Sequence, residues 1–140
     1  MFSFKELEME TEWQDFRTKI LGIYEEKVKP VLREPPTSDV TLMVKKLEFL
    51  AGWLPYFGEM RAKAEKYYKL ARAEALVDCP YASPEFKVRV WLEGEIADVE
   101  YFYNHLSAIY TAATDAGMKI QTALRVEMEL LGQTNSGGKR

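Results

Sequence analysis

The sequence has one cysteine and one histidine, Cys79 and His105, and each scarcity excludes chemistry. A lone cysteine cannot close an intrachain disulfide, which suits a reducing compartment. A lone histidine, five residues after Glu100, leaves no Glu-x-x-His pair for a di-iron bundle and no convincing Ser/His/Asp triad. No glycine-rich phosphate loop is present. No apolar run approaches the roughly 20 residues that span a bilayer. The opening MFSFKELEME also lacks the basic region and apolar stretch of a signal peptide, so a cytoplasmic location without membrane contact is expected. Neither sign of charge dominates: 19 Lys and Arg face 22 Asp and Glu, a net of -3, so any grip on nucleic acid must be local.

Apolar content, by contrast, is ample. At 47% hydrophobic and 13% aromatic, 140 residues can build the core of one domain. Its periodicity is helical throughout. Ser3 as N-cap, Glu6 closing a capping box and Phe2 with Leu7 as a hydrophobic staple start helix 1, which covers about 3–29 and carries Trp13, Phe16, Ile20, Tyr24 and Val28 on one face. Pro30 should end it, because an interior proline loses a hydrogen bond and clashes with the preceding turn. A linker over 30–37 leads to helix 2, about 38–77, capped by Ser38 and kinked or briefly broken near Pro55. After a turn over 78–83, Ser83 as N-cap and Pro84 as first residue open helix 3, about 84–131, with a flexible tail over 133–140.

Helix 3 places Leu92, Ile96, Val99, Tyr103, Leu106, Tyr110, Ala113, Gly117, Ile120 and Leu124 at steps of four and three, the repeat of a coiled-coil seam. The expected fold is therefore all-α: a long antiparallel coiled-coil hairpin, with helix 1 completing a three-helix base. Folding helix 2 onto helix 3 about residue 80 pairs residues whose numbers sum to about 161, setting Leu47 by Ala113 and Val44 by Gly117, large against small. Helix 1, being shorter, is expected to cover only the base, near 40–58 and 105–131, leaving the distal aromatic residues exposed.

Two charged groups invite a functional reading. Lys63, Lys66, Lys69 and Arg72, with Lys87 and Arg89 across the hairpin tip, form a candidate anion or nucleic-acid patch. Their three-residue spacing winds them around the helix, and Glu59–Lys63 and Glu65–Lys69 are favourable i,i+4 pairs, so a solvated, salt-bridged face is the preferred reading. Glu95 and Asp98 stand at i,i+3, the spacing with which the E-x-x-D half of all-α nucleotide pyrophosphatases holds Mg²⁺. The neighbouring helix offers only Glu59 and Glu65, on different faces, so no metal, cofactor or catalytic residue is assigned. Trp91, Phe102 and Ile109 lie beside the main seam, where they pack on helix 1 or form an oligomer or partner contact.

The stretches LPYFGEMRAKAEKYYKLARAEAL, SPEFKVRVWLEGEIA and ALRVEMEL resemble small helical proteins of bacteriophages and prophages, often encoded in recombination and replication gene clusters. Met118-Lys119 stands where that group carries a His-Gln pair. The resemblance implies a phage setting and an accessory role around DNA recombination. Taken together, the expectation is a non-enzymatic interaction protein with a protein partner, forming a homo-oligomer. The alternatives are a nucleic-acid-binding accessory factor and a Mg-dependent nucleotide hydrolase.

Overall fold

The computed structural model describes residues 4–138, with side chains described over 12–133. Among the described residues there is no strand. The chain runs α1 (Phe4–Ile23), a π-helical turn (Tyr24–Val28), α2 (Lys29–Arg33), α3 (Val40–Asp78), α4 (Glu85–Glu95) and α5 (Ala97–Gly138). The Ser3 capping box and the Phe2–Leu7 staple lie outside the described side chains.

The first helical run does not stop at Pro30. The Lys29 N–H reaches back to the carbonyl of Tyr24, one residue further than in an α-helix, and the widened turn lets Pro30 enter as an early residue of α2, where a missing N–H costs little. Glu25 and Lys29 close a 2.9 Å ion pair across this turn. The extended connection therefore begins at Glu34 and not at residue 30.

α3 is capped by Asp39 in place of Ser38. Its carboxylate accepts the Leu42 N–H at 3.2 Å, while its own N–H is held by the Thr37 hydroxyl at 3.1 Å. The helix continues unbroken through Pro55. Pro55 and Ala51 are both solvent-exposed, so water can take the carbonyl that the proline leaves without a donor.

Helix 3 is divided in two. Pro84, extended, is the N-cap of α4, and its carbonyl accepts the Lys87 N–H at 3.0 Å. Ile96 then leaves the helical basin at φ -106°, ψ 10°, although its N–H still reaches Leu92 at 3.1 Å, and α5 sets off from Ala97. Gly94, a poor helix former, stands two residues before this bend. At the far end the helix passes Gly132 and continues to Gly138, so most of the expected tail is helical; residues 139–140 lie outside the described part.

α3 packs along α5 as an antiparallel hairpin, in a register slipped from the expected one. Arg61 lies over the Tyr110 ring at 4.6 Å, a Cβ on Gly58 would meet that ring at 3.4 Å, and Tyr68 stacks on Tyr103 at 5.7 Å. Pairing with a sum of about 161 would instead place Tyr110 against Ala51. Leu47 accordingly faces the cleft walled by Thr114, Gly117 and Gln121, and Val44 is exposed instead of covering Gly117.

Helix 1 also reaches further toward the tip than its length suggested. Trp13 and Phe16 meet Tyr67 and Phe102 halfway up the hairpin, and Tyr24 meets Phe57 and His105 below them. The main core is built from Trp13, Phe16, Ile20, Val28, Phe57, Ala64, Phe102, Leu106 and Ile109. A second, smaller cluster of Ala75, Leu92 and Ile96, flanked by Tyr68, Ala71 and Trp91, holds the distal end.

Candidate functional site: the outer face of the distal hairpin

The slipped register and the long reach of helix 1 decide the fate of the expected contact residues. Phe102 and Ile109, at 1% and 3% exposure, are core beneath helix 1 and are withdrawn from any partner surface. Trp91 is half-buried against the distal cluster. The residues left outward on the same helices are different ones. On α4, Phe86 and Val90 stand one turn apart and are 57% and 60% exposed; on α5, Ala97 and Tyr101 do the same, with Tyr101 69% exposed. Phe86 and Val90 lie on the side of α4 away from the buried Leu92, and Gly94 is exposed as well. Tyr101 is held flat against His105, rings 6.2 Å apart and 3° from parallel, so this aromatic is oriented although exposed. Val77, at the end of α3, is 84% exposed.

Sequence reasoning missed this face for a physical reason. Heptad positions identify what can be buried, and the choice among the flanking positions depends on where a third helix lies. With Phe102 and Ile109 buried, the large apolar side chains left exposed on these helices include Phe86, Val90 and Tyr101. The i,i+4 recurrence of Phe86 and Val90 off the main seam was the available signal.

The basic residues are spread along α3 and α4. Lys63 sits 4.9 Å over the Phe16 ring, in place of the expected pair with Glu59. Lys69 makes the expected pair with Glu65, at 3.2 Å. Lys66 and Arg72 are exposed on the same helix. Lys87 lies 5.9 Å over the Tyr81 ring. Lys87 and Arg89 lie tipward of Leu92, which packs with Ala75, whereas Lys63 to Arg72 lie below Ala75, so the two groups occupy different heights of the hairpin.

Glu95 and Asp98 are exposed and separated by the bend at Ile96, so the straight helical face that i,i+3 spacing assumes is absent. Among the described residues no three of His, Cys, Asp and Glu gather as a metal site, and no helix is long and apolar enough to cross a membrane. His105 sits at the edge of the core between Tyr24 and Tyr101.

At the opposite end, the connection after α2 crosses the hairpin base and encloses a cleft of about 190 Å³, walled by Leu32, Met43, Leu50, Ile120 and the Lys46 and Lys119 side chains. Lys46 Nζ is paired with Glu34 at 2.8 Å.

Compared with protein families, curated proteins and solved structures, the chain finds no match.

Proposed function

We propose that the chain is a non-enzymatic helical interaction protein that binds a protein partner on the outer face of its distal hairpin. The observation that carries this reading is the exposure of Phe86 and Val90 one turn apart on α4, with Tyr101 exposed on α5 beyond the bend at Ile96. Large apolar groups recurring at one-turn spacing are what a helix-in-groove or helix-on-helix partner engages. A phage setting follows from the resemblance of the helical text to small phage proteins, and a second copy of the chain is one partner that this face accommodates.

The test is a comparison of two variants during purification from the native host. The protein carrying Phe86→Ser and Val90→Ser should lose a stoichiometric partner that both the wild type and a Met118→Ser control retain, with helical circular dichroism unchanged. Retention of the same partner by the double variant would move the interface elsewhere. Turnover of nucleoside triphosphates with Mg²⁺, abolished by Asp98→Asn, would replace the proposal with an enzymatic one.

A further inference from the structure

The cleft at the hairpin base combines an apolar floor with an uneven set of charges. Met43 and Leu50 are 3% and 2% exposed, and Leu32, Ile120, Ala116 and Ala123 extend the apolar wall. Three charged side chains line the opening: Lys46 from α3, Lys119 from α5 and Glu34 from the connection. Glu34 accounts for one positive charge through its 2.8 Å pair with Lys46, whose side chain is only 11% exposed. The lining therefore carries one excess positive charge, and its two lysines stand on two helices, α3 and α5, that both wall the cleft. Thr37 adds a hydroxyl that accepts from the Asp39 N–H and so keeps its own proton to donate. Pro35 and Pro36 stiffen the rim, so the shape exists before anything binds.

We infer that this cleft binds a small monocarboxylate with a short apolar tail, the tail on Met43, Leu50 and Ile120 and the carboxylate between Lys46 and Lys119. Size sets the class: at about 190 Å³ the cleft is smaller than the roughly 300 Å³ at which drug-sized ligands are accommodated, so the ligand is of short-chain fatty acid dimensions. Charge sets the sign, since a dianion would exceed the excess positive charge and a neutral ligand would leave it unanswered. The cleft shares no residue with the outer face of the distal hairpin, so this inference stands apart from the proposed function.

The chain contains six methionines, and labelling their ε-methyl groups with ¹³C supplies a reporter inside the cleft and controls outside it. Titrated with hexanoate, Met43 should shift saturably with a dissociation constant on the order of 1 mM, as expected for about eight heavy atoms. Met118 and Met128, about 60% exposed, should not move. Hexanol should bind more weakly, and Lys119→Gln should weaken hexanoate roughly threefold to fivefold, the range of a partly exposed charge contact. Lys119 is chosen because it leaves the Lys46–Glu34 pair intact. Absence of a saturable Met43 shift at 10 mM hexanoate, equal shifts with hexanol, or shifts spread over the exposed methionines would each overturn the assignment.

Discussion

The Trp13 ring stands edge-on to Phe102, centroids 5.1 Å apart and planes at 84°, and this contact ties the first helix to the hairpin. Phe102 is 1% exposed and also meets Phe16 at 5.8 Å. Phe102→Ala should therefore destabilise the fold by about 3–5 kcal/mol, the cost of emptying a packed aromatic site. Denaturant unfolding reads this directly. A change in oligomer mass without loss of stability would return Phe102 to the surface.

Tyr56 presents the opposite case. Its hydroxyl oxygen is buried without a hydrogen-bond partner among the described residues, while its ring packs on Trp53 and Phe57. Burial raises its pKa, the sign of a phenol held away from water. Tyr56→Phe removes an unsatisfied group and keeps the ring, so stability should rise by about 1 kcal/mol. A loss on urea unfolding would reveal a partner for the hydroxyl.

Alkaline pH should weaken the fold through Tyr67. Its pKa is raised by burial first, then by the charge of Glu12 and the hydrogen bond it donates to that carboxylate. A raised folded pKa means that the neutral phenol is favoured in the fold. The contribution is complete below the unfolded value of about 10 and disappears as pH climbs through the higher folded value, because the unfolded chain releases its proton first. Urea midpoints should fall between pH 9.5 and 11 by less in Tyr67→Phe than in the wild type.

Gly52 lies inside α3 with open space for 4 Å around the place a Cβ would take, whereas a Cβ on Gly58 would face Tyr110 at 3.4 Å. Gly52→Ala should stabilise by roughly 0.5–1 kcal/mol through helix propensity alone. Thermal melting of the two alanine variants side by side should show the smaller gain, or a loss, at Gly58.

Reversing Lys66 and Lys69 to Glu should change stability by less than about 1 kcal/mol, since exposed pairs contribute little. The Lys69–Glu65 pair is 72% and 43% exposed, which fits that range. Duplex or single-stranded DNA that binds the wild type in a salt-sensitive manner, and is lost in this variant, would restore the nucleic-acid reading.

The helices, and the buried seam from Leu92 through Ile96, Leu106 and Ala113, were legible in the sequence because periodicity reports burial directly. The pairing of the two long helices was not. A seam that repeats every seven residues looks alike when slipped by a heptad, so apolar spacing alone does not choose between the alternatives. Pro30 misled because a π turn is invisible to a proline rule. Ile96 misled because one residue in the bridge region leaves the apolar spacing untouched. The outer face of the distal hairpin was hidden with the register, since it is defined by what helix 1 leaves uncovered. The base cleft was hidden with the connection, whose Glu34, Pro35 and Pro36 read as linker until their position over Met43 and Lys46 was known.

The bend at Ile96 separates two clusters of unequal size, and it gives the molecule two tiers of opening. Ala75, Leu92 and Ile96 can come apart while Phe57, Phe102 and Leu106 stay closed, because the two sets form separate buried clusters. Amide hydrogens of α4 should exchange with deuterium through this smaller opening, well before those of α5 around Leu106. The distal end is thus a separate cooperative unit, and a partner that docks on Phe86 and Val90 would be read out as slowed exchange across α4, with the lower bundle unaltered.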